Sequence, residues 1–207
     1  MKLFLASIAS GSLDLALPLL SSPPSKVSLA YIETAADPYP LDARPWVQYD
    51  KDKIAELGFN VSPYDIKGKT EIQLVSDLSK FDAIFMEGGS TEYLLKQVKI
   101  SGFDKAILEL LHKGIVYIGS SAGSCIMGKS IEHLCELDHF QIQDSVDYAG
   151  IGLVPHLIVP HYGRDKYADR HAQMRELWGD KLSFLTDNQA IVVNGDKIEI
   201  VTNQGGL

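Results

Sequence analysis

Short apolar runs alternating with amphipathic stretches constrain this chain more than any other feature of its sequence. Leu3 to Ser7, Lys26 to Ile32, Asn60 to Tyr64, Ala83 to Met86 and Ile115 to Gly119 are strand-length runs bounded by turn residues. Between them, Arg44 to Leu57, Thr91 to Val98 and Phe103 to His112 carry apolar positions at helical spacing, the first stopping at Gly58 and the last at Gly114. Strands buried on both faces read as continuous apolar runs when helices cover a parallel sheet. The expected class is therefore α/β, a three-layer sandwich with a mainly parallel central sheet.

Beyond about Ser130 the pattern changes. Leu157 to Pro160 and Leu182 to Leu185 read as further strands, Asp169 to Trp178 as a helix, and Asn194-Gly195-Asp196 as a hairpin signal near the end. Ser21-Ser22-Pro23-Pro24-Ser25 reads as a surface loop, and no repeat or linker divides the chain. With 207 residues, one domain spanning 1–207 is expected. The opening Met1 to Ala9, with one lysine, an apolar run and small residues, has the makings of a short signal peptide, but the run is brief and the later strands need a first partner, so a buried first strand is the expected reading.

The formal charge is −8 with acids and bases interspersed, which argues against a nucleic-acid or anionic-membrane surface, because phosphate binding needs a clustered basic face. No stretch approaches the ~20 apolar residues that span a bilayer. Cys125 and Cys135 form neither a disulfide framework nor a metal-ligand spacing, so no metal or cofactor is expected, and a reducing cytoplasm fits.

Chemistry is carried by Gly119-Ser120-Ser121-Ala122-Gly123, which satisfies G-x-S-x-G, follows the apolar run Ile115 to Ile118 and leads into a helical stretch. Small residues are needed two positions either side of Ser121 because the turn brings them against a neighbouring strand or helix. Ser121 is thus the candidate nucleophile, with helix N-terminal amides and dipole aimed at the oxyanion its attack would create. Ser120 and Ser124 are expected to pack or cap. A second glycine loop, Glu87-Gly88-Gly89-Ser90-Thr91, follows the strand Ala83 to Met86. Its bare amides at Gly88 and Gly89 are candidates to complete an oxyanion hole with the amide of Ala122.

Serine needs a base within hydrogen-bond reach, itself oriented by a third group. Of six histidines, His161 ends the apolar strand Leu157 to Pro160 and should emerge where Ser121 does. His156 begins that strand and should lie at its far end, while His112, His133, His139 and His171 read as solvated surface histidines. For the acid, Asp187 follows a late strand and is favoured over Glu136 or Asp138, which lie between serine and histidine.

Taken in order, Gly88 to Thr91, Gly119 to Gly123, and Gly152-Leu153-Val154-Pro155 leading to Pro160-His161-Tyr162 resemble the peptidase E family of serine peptidases, over nearly the whole chain. The resemblance implies a fold like class I glutamine amidotransferases, flavodoxin-like in arrangement. It also implies an exopeptidase acting on short peptides, dipeptides with N-terminal aspartate above all, without metal or cofactor. Its nucleophile and base fall on Ser121 and His161, and its acid on Glu136 or Asp187. Arg170 aligns with its substrate-binding arginine. Glu87 stands where the family often has glycine and Ser90 where it often has asparagine, and Glu87 is a candidate to attract a substrate's ammonium group. A short peptide is the expected partner, and a homodimer is left open.

Three other readings compete. An esterase or other acyl hydrolase of the α/β-hydrolase type shares the serine turn, but its histidine comes late in the chain, after the acid. A cysteine-dependent amidotransferase would need its thiol at the turn, whereas Cys125 lies four residues past Ser121. A non-catalytic small-molecule-binding protein would keep the scaffold without the reactivity.

Overall fold

A computed structural model of the chain describes residues 1–135 and 147–205. In chain order its elements are β1 (Lys2–Ala6), β2 (Ser28–Ile32), α1 (Pro45–Leu57), β3 (Asn60–Pro63), α2 (Glu71–Leu78), β4 (Ala83–Met86), α3 (Thr91–Ser101) and α4 (Phe103–His112). There follow β5 (Val116–Ser120), the single turns α5 (Ala122–Cys125) and α6 (Glu132–Cys135), β6 (Leu157–Tyr162), α7 (Ala168–Trp178), β7 (Leu182–Thr186), β8 (Gln189–Asn194) and β9 (Lys197–Thr202).

Seven strands form one sheet in the order β3-β2-β4-β5-β1-β8-β9. The first five run parallel, and β8 and β9 close the edge as an antiparallel pair. Alternate strand residues face opposite sides, so Leu3 and Leu5 enter one core while Phe4 and Ala6 enter the other. Helices cover the first face: α4 buries Phe103, Ala106, Ile107, Leu110 and Leu111, a stripe at helical spacing. The fold is the expected mixed α/β one, with a large, mostly parallel sheet flanked by helices.

Several details depart from the sequence reading. Helix α2 was not anticipated: it is only eight residues long, and it buries Leu74 and Leu78 while Ile72 stays exposed. Its start is nevertheless written locally: Thr70 and Gln73 form a reciprocal capping box. After β1 the chain winds through 3₁₀ turns at Ala9–Gly11 and Leu13–Leu19, where Leu13, Ala16 and Leu19 are buried at the three-residue period of that helix. The final hairpin does turn within Asn194-Gly195-Asp196 as expected, on Gly195 and Asp196, with Asn194 paired to Lys197 and Gly195 at φ 63°. The strands β6 and β7 do not join the main sheet; they pair in parallel with each other.

Candidate active site

Strand order builds the site. β5 lies between β4 and β1, with Gly119 level with Met86 and Ser120 level with Ala6. The residues that leave these three strands, Glu87 with its glycines, Ser121 and Ser7, therefore emerge side by side at their carboxyl ends, where open α/β sheets bind ligands.

Ser121 has φ 48° and ψ −108°, a strained backbone for a side-chain-bearing residue. Its N–H donates to Ala6 O at 3.1 Å. The flanking glycines are required by contact: a Cβ on Gly123 would stand 2.2 Å from Met86 O, and one on Gly119 2.7 Å from the Gly123 carbonyl. The helix that follows is only one turn long, so the amide of Ala122 is the useful donor and the anticipated dipole is slight. Ser120 and Ser124 turn inward: Ser120 Oγ donates to Asp50 Oδ2 at 2.6 Å, and Ser124 Oγ to Ala6 O at 2.7 Å.

His161 arrives at the end of β6 with φ 63°; among the described residues it and Ser121 are the non-glycine positions of positive φ. Its Nε2 lies 3.0 Å from Ser121 Oγ and its Nδ1 2.8 Å from Asp187 Oδ1. Tyr167 stacks on the ring at 5.7 Å. Asp187 follows β7 and is held from several directions: Ser7 Oγ donates to Oδ1 at 3.1 Å and Arg164 Nε to Oδ2. Ser7 Oγ also accepts the His161 N–H at 2.7 Å. Burial pushes the Asp187 pKa up, but the hydrogen bonds and charges of His161 and Arg164 outweigh it and hold the value at about 2. An ionised Asp187 is an acceptor only, so it selects the tautomer with the proton on Nδ1 and leaves the Nε2 lone pair for the serine hydroxyl.

These groups open into a cleft of about 440 Å³ that is also lined by Trp46, Gly89, Lys166 and Arg170. Arg170 donates to Leu134 O at 2.6 Å and reaches the cleft wall. Glu87 does not line the cleft. It is fully buried, accepting from the Gly88 N–H at 2.7 Å and from the Tyr31 hydroxyl. Burial and the neighbouring Asp50 carboxyl raise its pKa well above the usual carboxylate value, and its burial away from the cleft leaves it unsuited to drawing in an ammonium group. The same hydrogen bond commits the Gly88 N–H, so the amides of Gly89 and Ala122 are the ones without an acceptor among the described residues.

Of the other histidines, His112 is exposed as expected, but His133 and His171 are buried rather than solvated: His133 bonds Ile158 O at 3.0 Å, and His171 packs among Tyr162, Tyr167 and Phe184. His156, next to the start of β6, pairs with Ser183 Oγ at 2.6 Å, away from the site. Glu136, Asp138 and His139 lie outside the described residues. Cys125 is fully buried, and burial pushes its thiol up to about 12, far from a reactive thiolate.

Sequence reasoning missed Ser7, Arg164 and Asp50. Asp50 left a signal: with Val47 and Ile54 it makes the buried stripe of α1, a carboxylate on an otherwise apolar line.

The model of peptidase family S51 matches residues 11–201. The chain belongs to this family. Among similar proteins, an uncharacterized peptidase of Pasteurella multocida is 26% identical over 208 residues, covering 99% of each chain. Peptidase E of Haemophilus influenzae is 28% identical over 142 residues, 67% of this chain and 62% of its own. A solved structure of a candidate peptidase E protein from Listeria monocytogenes superposes with a TM-score of 0.85 at 25% identity, covering 98% of both chains. As an S51 member this protein is a serine peptidase. Among its described residues no helix is long and apolar enough to cross a membrane.

Proposed function

We propose that residues 1–207 act as a single catalytic domain, a dipeptidase-like serine exopeptidase with Ser121 as nucleophile, His161 as base and Asp187 as the orienting acid. The observation that carries this reading is the continuous relay Ser121 Oγ to His161 Nε2 at 3.0 Å and His161 Nδ1 to Asp187 Oδ1 at 2.8 Å, opening into the cleft.

In the first half-reaction Ser121 Oγ attacks the peptide carbonyl while His161 Nε2 takes its proton; the ionised Asp187 stabilises the imidazolium. The oxyanion is received by the amides of Gly89 and Ala122. Collapse breaks the C–N bond, and His161 returns the proton to the leaving amine. In the second half, water gives its proton to His161 and attacks the acyl-enzyme, and the serine leaves as the alcohol.

An N-terminal aspartate is the preferred residue in this proposal, its side chain drawn to the cationic wall of Arg170 and Lys166. The test is a library of dipeptides and tripeptides, free and N-blocked, with products read by mass spectrometry. Release of single residues from free peptides only, led by aspartate, is expected. Cleavage of N-blocked peptides would remove the exopeptidase assignment, and loss-free turnover by Ser121→Ala would remove the nucleophile.

A further inference from the structure

The loop that supplies the Gly89 amide is fastened by side chains that take no part in the relay. Trp46, in the first turn of α1, donates its indole N–H to Gly88 O at 3.2 Å, and Tyr39 meets its ring edge-on at 5.2 Å. The described peptide bonds are trans, so the Gly88 carbonyl and the Gly89 N–H point in opposite directions. Anchoring the carbonyl on the indole turns the Gly89 N–H away from Trp46. That N–H has no acceptor among the described residues, and Gly89 lines the cleft beside Ser121.

The preceding peptide is fastened as well, by the bond from the Gly88 N–H to Glu87 Oε1. Glu87 is supported in turn by Tyr31 and by Asp50, whose other bonds reach Ser120 Oγ at 2.6 Å and the Ser10 N–H at 2.7 Å. Trp46 and Asp50 are four residues apart on one face of α1, so that helix grips the glycine loop through one residue and the serine turn through the other.

Such fastening is needed because two adjacent glycines offer little resistance to a peptide flip. Gly89 has φ 147°, and a Cβ there would stand 2.2 Å from Ala35 O, so no bulkier residue can stiffen the loop. A flipped Gly88–Gly89 peptide would present a carbonyl oxygen to the oxyanion in place of a donor, reversing the sign of the interaction.

We propose that Trp46 and Glu87 are positioning residues for oxyanion stabilisation, holding the two peptides on either side of Gly88 so that the Gly89 N–H faces the reacting carbonyl. This rests on the serine mechanism above, and the measurements are chosen to separate the two. Trp46→Phe keeps the ring and loses the N–H. It should lower kcat about tenfold, less than the ~10²–10³-fold cost of deleting an oxyanion donor outright, with KM changed by no more than about twofold. A peptide aldehyde, which forms a tetrahedral oxyanion on Ser121, should lose affinity by the same factor as kcat, while an unreactive peptide alcohol should not. Glu87→Gln keeps an oxygen for the Gly88 N–H and should retain aldehyde affinity; Glu87→Leu should lose it. Unchanged kcat and aldehyde affinity in Trp46→Phe, a rise confined to KM, or equal aldehyde affinity in the two Glu87 variants would each overturn the proposal. Full turnover by Ser121→Ala would instead overturn the mechanism beneath it.

Discussion

Ser121 and His161 both hold a positive φ, 48° and 63°, yet the two halves of the site keep them there by different means. The serine half grows from the middle of the seven-stranded sheet and is fixed by exclusion: strands on both sides, and glycines at 119 and 123 where any side chain would strike backbone. The histidine half stands on the separate β6–β7 pair and is fixed by polar bonds, with Ser7 reaching from β1 to both the His161 backbone and Asp187. Steric exclusion is insensitive to protons and fails abruptly when an atom is added. Hydrogen bonds and charges can be weakened one at a time, and they answer to pH.

This contrast can be tested in order of expected effect. Ser121→Ala should lower kcat/KM by about 10⁴-fold or more while leaving thermal stability unchanged or slightly raised, since it removes the reacting atom and no packing. Asp187→Asn should cost about 10²–10⁴-fold in kcat by allowing the wrong imidazole tautomer, and Glu136→Gln should cost far less. The reverse ranking would transfer the acid's role to Glu136. Gly123→Ala should destabilise the fold by about 3 kcal/mol, because its Cβ meets Met86 O rather than a side chain that can move; a melting temperature equal to wild type would show that the serine half yields after all. Ser7→Ala should slow kcat by about tenfold or less, since His161 keeps its bond to Asp187.

The smallest effect is on acid stability. Asp187 titrates at about 2 in the folded chain, below its ordinary 3.8, so its stabilising contribution is present above about pH 4 and is lost as pH falls through 2. Arg164→Gln removes one of the charges that depress the value, so the fall in melting temperature on acidification should begin at higher pH than in wild type. Superimposable profiles between pH 2 and 5 would mean that Arg164 does not hold the carboxylate.

The same division marks what could be read from the sequence. The serine half was legible because it is local: an apolar run, a G-x-S-x-G turn and a glycine loop after the neighbouring strand lie within short windows of chain. His161 was legible as the polar end of an apolar strand. The acid was legible only as a preference for Asp187 over Glu136 and Asp138, because its contacts join residues 26 and 180 positions apart, and no spacing rule reports such a meeting. Gly88 read as a donor because a bare amide looks available until Glu87, its own neighbour, is seen to occupy it. Glu87 read as a cleft residue for the matching reason: charge in a sequence suggests solvent, whereas here a hydroxyl, an amide and a second carboxyl surround a buried side chain.

The glycines at 119 and 123 are demanded by carbonyl groups of the frame and not by the hydroxyl between them. Backbone shape and nucleophile identity are therefore separable at this corner. A thiol or a bare hydrogen at position 121 can be exchanged for the hydroxyl without redrawing the path of the chain, while one methyl group at 119 or 123 cannot be admitted. Variation should accordingly be sought in the reactive atom before it is sought in the hinge that presents it.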